Sequence, residues 1–253
     1  MTVRPMCLVY KKAAVWIGGL LMGFGLQAQT GLVALTPFSS AITERVPAPW
    51  RSVGVPGGKI PLTAFAIVDL EGRKVLRIET ARSYGNLVHA LPRTGVGAAG
   101  VLRWRWRLEQ PLAGADLRRR DGDDSPLKVC ALFDMPLDKL GLLERNLLRL
   151  ARAASAEDLP SATLCYVWDE NLAPGTLLRN AYTSRVRFLV LDSGQQRLGQ
   201  WVAHSRDLAT DFRLAFGEES DTVPPLQAIL VGADADSTGG SSLAYVGDIT
   251  LSR

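Results

Sequence analysis

The chain has 253 residues, of which 29 are Lys or Arg and 25 are Asp or Glu. The first 28 residues hold three basic and no acidic side chains, so the other 225 residues are nearly neutral, with 26 basic against 25 acidic. This balance lacks the basic domain that nucleic-acid binding needs, so no nucleic-acid partner is expected, and 225 residues suit one large β domain.

The N-terminus has the pattern of a secretory signal peptide. Basic residues precede the apolar run 13–26, and residues 26–28 fit a cleavage site. The run contains four glycines and is short for a membrane span, which needs roughly 20 residues. We predict a signal peptide over 1–28, one domain over 29–253, a periplasmic or secreted location and no stable transmembrane span after cleavage. An uncleaved anchor is the alternative.

After a Pro-, Gly- and Ser-rich segment anchored by Trp50, strand patterns begin. Thr63–Leu70 and Lys74–Thr80 flank Glu71-Gly72 and predict a β-hairpin, because glycine tolerates the positive φ of tight turns. Residues 208–216 are ambiguous, with a short helix as one interpretation. Further strands are predicted at 86–91, 101–108, 127–133, 162–168, 184–191, 198–205, 225–232 and 243–251.

One segment has helical rather than strand periodicity. Between Pro136 and Ala154, apolar residues recur every three or four positions, which predicts an amphipathic helix over about 136–154. We expect the leucines of this helix to pack against the domain, and contact of its basic residues with anionic lipid is the alternative. The members of the apolar stripe are Leu140, Leu143, Leu147, Leu150 and Ala154.

Turn-punctuated strands with a single inserted helix predict an all-β fold. We expect an antiparallel β-sandwich of jelly-roll (galactose-binding-like) type, with no parallel sheet because no βαβ rhythm occurs. Cys130 and Cys165 each lie in a predicted strand. Two buried thiols are the favoured interpretation, and a disulfide is the alternative if the two strands are neighbours.

The strand over 101–108 alternates apolar residues with arginines. Trp104 and Trp106 share a face with leucines, so they are expected in the core. The opposite face carries Arg103, Arg105 and Arg107. It is expected either to be solvated and paired with acidic residues or to form a groove for an anion or an acidic sugar.

Carboxylates in loops are the candidate functional residues. Asp123 and Asp124 follow the Arg/Trp strand, and a solvated turn is the favoured interpretation of that loop alone. Asp234 and Asp236 precede a hydroxyl and a glycine, which suits coordination of a cation such as calcium. Asp248, near the last strand, is expected either to join an N-terminal loop at one cation site, with Asp234 and Asp236 as the other candidate ligands, or to face solvent.

Several pieces taken in order resemble one known family. They are Trp50, Trp104-Arg105-Trp106, Gly122-Asp123-Asp124, Tyr166-Val167-Trp168, Trp201, Arg206-Asp207, Asp211, Asp234-Ala235-Asp236 and Tyr245-Val246-Gly247-Asp248-Ile249. The set resembles the bacterial exported family catalogued as domain of unknown function 3047, from about Phe38 to Leu251. The resemblance implies an exported β-sandwich and supplies no catalytic residue. The ordered set adds Arg105, Asp207 and Asp211 to Asp123 and Asp124 as candidate ligand-binding residues.

These observations favour a non-catalytic protein that binds a carbohydrate or another cell-envelope ligand. One alternative is a polysaccharide-active hydrolase or lyase that uses paired aspartates. The other is an envelope assembly or scaffold protein whose inserted helix docks a partner. No cofactor is required by the sequence, and calcium is the one expected to bind if any does.

Overall fold

The computed structural model describes residues 32–33, 35–55, 57–92, 100–154 and 159–252. The predicted signal peptide lies outside the described residues. No helix in the described ranges is long and apolar enough to cross a membrane.

The strands are β1 (Leu32–Val33), β2 (Arg51–Val53), β3 (Ala64–Leu70), β4 (Arg73–Ala81), β5 (Tyr84–Ala90), β6 (Val101–Gln110), β7 (Lys128–Phe133), β8 (Ala162–Asp169), β9 (Leu177–Arg179), β10 (Val186–Ser193), β11 (Val202–Asp207), β12 (Leu226–Asp234), β13 (Ser241–Val246) and β14 (Thr250–Ser252). The α-helices are α1 (Leu142–Ala154) and α2 (Leu208–Phe216).

The strands form the predicted β-sandwich of two seven-stranded sheets. In the first sheet the order is β1-β14-β6-β13-β4-β3, with β11 also pairing with β6. The second sheet has the order β2-β5-β12-β7-β8-β10-β9. The β3–β4 hairpin turns at Glu71 and Gly72, both at positive φ, as its sequence predicts. Residues 208–216, which were ambiguous, form α2.

One pair of strands is parallel. Strands β8 and β10 run in the same direction, whereas the other strand pairs of the described sheets are antiparallel. The chain leaves β8, forms the edge strand β9, and returns as β10 between the two. The sandwich therefore contains no parallel sheet, as predicted, but it does contain this one parallel pair, because the antiparallel edge strand β9 lies between β8 and β10 along the chain.

Aromatic rings fill the space between the sheets. Trp106, Tyr166 and Trp168 are buried, and the ring centroids of Trp104 and Tyr166 are 5.2 Å apart. Strand β6 thus turns its tryptophans inward and its arginines outward, as the alternation predicts. Both faces of β7 and β8 are buried, because the loops that carry Leu117 and Leu172 cover the outer face of the second sheet.

The two cysteines form a disulfide. Cys130 and Cys165 are direct partners in the β7–β8 ladder, and their sulfurs are bonded. The favoured interpretation of two free buried thiols is therefore wrong. The sequence placed each cysteine in a strand, but it could not show that β7 and β8 are neighbours in this register.

Helix α1 exists where predicted, but its packing differs from the expectation. The buried leucines are Leu140, just before the helix, and Leu148. Leu143, Leu147 and Leu150, which were expected to face the domain, are exposed. Periodicity identifies an apolar stripe, but it does not determine whether the stripe faces the protein's own core.

Candidate functional site

Three of the predicted carboxylates meet on the outer side of the second sheet. The carboxylate oxygens of Asp124, Asp234 and Asp236 lie within 4.8 Å of one another, and Asp123 precedes Asp124 in the same loop. We call these four residues, together with Lys128, the acidic cluster. The structure thus joins the loop after β6 to the end of β12, and binding of a ligand or cation by these carboxylates stays a prediction.

Backbone amides and one lysine hold the acidic cluster together. The two Asp124 oxygens accept hydrogen bonds from the Ser237 and Thr238 amides at 3.1 and 2.6 Å. Asp234 accepts the Ser125 amide at 2.8 Å and the Lys128 ammonium at 2.7 Å. Lys128 therefore supplies a positive charge directly beside Asp234, one of the three grouped carboxylates.

The pKa values in the acidic cluster reflect burial and charge. Burial raises the pKa of the Asp123 carboxyl to about 6, and the Asp234 and Asp124 charges act in the same direction. Its Oδ1 is buried and accepts no hydrogen bond from the described residues, whereas Oδ2 accepts the Asn180 amide. Burial raises the Asp236 pKa as well. For Lys128, burial alone would lower the pKa, but Asp234 offsets this and the pKa lies above its usual value.

The raised pKa of Asp123 has a defined consequence for stability. An unfolded aspartate has a pKa of about 3.9, so between about pH 4 and pH 6 the folded protein retains a proton that the unfolded chain has released. Stability therefore falls as the pH rises through this window, and the destabilising contribution is complete above about pH 6.

The other predicted carboxylates lie elsewhere. Asp248 accepts hydrogen bonds from the Ser39 amide and hydroxyl at 2.9 and 2.6 Å, so the expectation that it joins Asp234 and Asp236 at one cation site is corrected. Asp207 caps α2 by accepting the Thr210 amide. Asp211 is buried and accepts the Tyr166 hydroxyl at 2.7 Å. The side chains of these three aspartates are therefore engaged in hydrogen bonds within the fold.

A groove of about 830 Å³ crosses the outer face of the first sheet. We call it the arginine groove, because Arg73, Arg103 and Arg105 line it. None of the three forms an ion pair with a described residue, whereas Arg107 on the same strand pairs with both Glu71 and Glu109. The lining also includes Ser39, Lys74, Trp104, Ala203, His204, Ser205, Gly247, Asp248 and Thr250.

The floor of the arginine groove is pre-arranged. The Arg105 guanidinium stacks 4.4 Å from the ring centroid of Trp201, and the Trp201 indole donates to Glu71 at 3.1 Å. A Cβ at Gly247 would lie 2.9 Å from the Arg105 side chain, so the glycine leaves room for that stacking. Arg103 donates one hydrogen bond, to the Ser252 hydroxyl, and keeps its remaining donors available.

A buried carboxylate lies beneath the arginine groove. Asp192 is fully buried and accepts hydrogen bonds from His204 Nε2 at 2.7 Å and from Trp106 Nε1 at 2.6 Å, and it also contacts Arg197. Burial alone would raise the pKa of Asp192, but these donors and the Arg197 charge lower it. Asp192 therefore links the two sheets and fixes the His204 ring between them, against Trp104 and Trp106.

Sequence reasoning missed Lys128 and Arg73. Lys128 belongs to a strand that was interpreted only as apolar, although a single lysine before Val-Cys-Ala-Leu-Phe is itself a signal for a paired buried charge. Arg73 lies at the start of β4, and sequence offers no indication that this turn reaches β6.

Comparisons with known proteins give one family and several structural likenesses. The family model described as "Protein of unknown function (DUF3047)" matches residues 48–250. No protein with a curated description matches the chain.

Among solved structures, the chain is similar to a family 11 carbohydrate-binding module from Clostridium thermocellum in complex with a beta-1,3-1,4-mixed-linked tetrasaccharide. The identity is 12%, the alignment covers 88% of this chain and 96% of the module, and the TM-score is 0.40. It is also similar to Trichoderma harzianum endoglucanase 3 of family GH12, at 8% identity, 83% and 100% coverage and a TM-score of 0.41. A third likeness is the xyloglucanase domain of NopAA from Sinorhizobium fredii in complex with cellobiose, at 8% identity, 81% and 99% coverage and a TM-score of 0.40.

Proposed function

The chain belongs to the family of unknown function DUF3047, and we propose that this member binds a negatively charged carbohydrate, or another anionic cell-envelope ligand, in the arginine groove without transforming it. The observation that carries the proposal is the set of three groove arginines that lack carboxylate partners among the described residues. Arginines on a folded surface usually pair with carboxylates or are solvated. Three unpaired arginines that line one groove therefore support the binding of an anion there.

The chemistry of the groove lining suits an acidic sugar. A guanidinium group binds a carboxylate through two parallel hydrogen bonds, and such charge-assisted bonds are the strong ones. Ser205 and Thr250 add hydroxyls that can donate to or accept from sugar hydroxyls. The Cys130–Cys165 disulfide supports the proposed export to a periplasmic or extracellular location, because disulfides persist in oxidising compartments.

Isothermal titration of acidic and neutral oligosaccharides tests the proposal. We expect an oligogalacturonate to bind and a cello-oligosaccharide of the same length to bind at least about tenfold more weakly, with affinity falling as salt rises. The double variant Arg73→Gln, Arg103→Gln should lose most of this binding. Arg77→Gln is the matched control, because Arg77 lies on the first sheet, pairs with Glu79 and does not line the groove. Equal binding by the double variant and the control would overturn the proposal.

A polysaccharide-active enzyme is the second candidate function, favoured by one observation. The Asp123 carboxyl, with its pKa near 6, adjoins other carboxylates, which is the arrangement of a general acid beside a carboxylate base. Release of reducing ends from a polysaccharide panel is the assay. The hypothesis requires that the protein releases reducing ends and that Asp123→Asn abolishes this activity. The groove double variant should lower the activity only by weakening substrate binding.

A further inference from the structure

Helix α1 exposes most of its leucines to solvent. Leu142 and Leu143 are each 74% exposed, Leu150 is 68% exposed and Leu147 is 56% exposed. Leu143, Leu147 and Leu150 follow one another at four and three residues, so they form one stripe along the helix. Single exposed leucines are ordinary on a folded protein, but four on one short helix form an apolar patch of the kind that marks an interaction site.

The opposite side of α1 is fastened to the domain. Glu144 lies 3.2 Å from the Arg185 guanidinium, which is itself largely buried. Arg152 donates to the Leu159 carbonyl at 2.8 Å, and Leu148 packs into the core. Rotation of the helix to bury the leucine stripe would break these contacts, so the stripe is a fixed feature of the surface.

The size of the patch indicates which kind of surface it fits. A helix of 13 residues is about 20 Å long, and one face about 10 Å wide offers roughly 200 Å². A stable protein–protein interface buries roughly 800 Å² on each partner, so this face alone is too small for a stable dimer. A lipid surface needs no such area, because an interfacial helix inserts only its apolar side chains below the headgroups.

Charge next to the patch points to anionic lipid. Lys139, one turn before the helix, and Arg149 within it are exposed and form no ion pair with a described residue. A basic side chain near an anionic membrane surface is attracted to the headgroups, which strengthens binding by about fivefold.

We propose that α1 is a membrane-surface docking helix that inserts Leu143, Leu147 and Leu150 into an anionic lipid leaflet. Arg149 and Lys139 then contact the headgroups. This inference is independent of the proposed ligand, because the groove lies on the first sheet and α1 is attached through Arg185 beside β10 of the second.

Hydrogen–deuterium exchange of the full chain, followed peptide by peptide, tests the inference. The probes are vesicles of phosphatidylglycerol mixed with phosphatidylcholine, and vesicles of phosphatidylcholine alone. We expect exchange over residues 142–154 to slow by about tenfold with the anionic vesicles and to stay unchanged with the neutral ones. Because the readout is local, association through the apolar run 13–26 does not register at α1.

Two variants and a control decide the outcome. Leu147→Glu should abolish the vesicle-dependent protection of residues 142–154, and Arg149→Gln should reduce that protection by about fivefold. Leu214→Glu makes the same substitution at a leucine of α2 that is 59% exposed, and it should leave the protection unchanged. Protection that is equal on neutral vesicles, or that persists in Leu147→Glu, overturns the proposal. Protection that appears without lipid and grows with protein concentration identifies a second copy as the partner and also overturns it.

Discussion

Replacement of Lys128 by methionine tests the electrostatics of the acidic cluster most directly. The Lys128 and Asp234 side chains are nearly buried, at 9% and 10% exposure, with 2.7 Å between ammonium and carboxylate. Methionine fills similar volume without the charge, so Asp234 remains buried beside Asp124 and Asp236 with no cation. Removal of one partner of a buried ion pair costs about 3–5 kcal/mol, and we expect Lys128→Met to lower the free energy of unfolding by that amount at pH 7.

Urea denaturation monitored by tryptophan fluorescence measures this loss. The loss should shrink at about pH 4, because protonation of the unpaired carboxylates removes their charge. The double variant Lys128→Met, Asp234→Asn is the control, since it removes both charges and should recover much of the stability. A loss below about 1 kcal/mol, or a double variant as unstable as the sum of the two single variants, would refute a buried, coupled pair.

Three further outcomes are expected. Asp123→Asn should stabilise the protein at pH 7 by about 1 kcal/mol after solvent screening and remove the fall in stability between about pH 4 and pH 6, as measured by denaturation across that range. Joint replacement of Cys130 and Cys165 by alanine should lower the free energy of unfolding by about 2–4 kcal/mol, and a reducing agent should then have no further effect. Calcium should raise the thermal midpoint of Lys128→Met more than that of the wild-type protein, because removal of the lysine leaves Asp234 without its positive partner; an equal shift in the two proteins, measured by scanning calorimetry, would contradict this.

The fold class could be predicted because strand periodicity is local. The alternation of Trp104 and Trp106 with arginines determined which face of β6 turns inward, and the glycine at position 72 marked the β3–β4 turn. The register and the neighbours of each strand depend on residues that are far apart along the chain. They place Cys130 opposite Cys165 and β10 parallel to β8, and no spacing in the sequence predicts either arrangement.

The candidate sites were predictable to a different extent. Carboxylates in loops identified Asp123, Asp124, Asp234 and Asp236, and the structure brings the last three within 4.8 Å of one another. The sequence could not separate Asp248 from this group. An aspartate that accepts hydrogen bonds from Ser39 has no sequence pattern that distinguishes it from an aspartate that binds a metal. The outward arginines of β6 were visible, but the groove depends on the turn after β3 and on β11, which are far away along the chain.

The two function hypotheses occupy opposite sides of the sandwich. Arg103 and Arg105 project from the outer face of the first sheet, whereas Lys128 and Asp234 belong to the outer face of the second. A substitution in one site therefore leaves the other chemically intact, provided that the protein stays folded. A ligand whose binding depends on the arginines and not on Asp123 supports a binding protein, and turnover that depends on Asp123 supports an enzyme. Because the sites share no residue, the two results are independent, and the pair of variants distinguishes the hypotheses even before the natural ligand is identified.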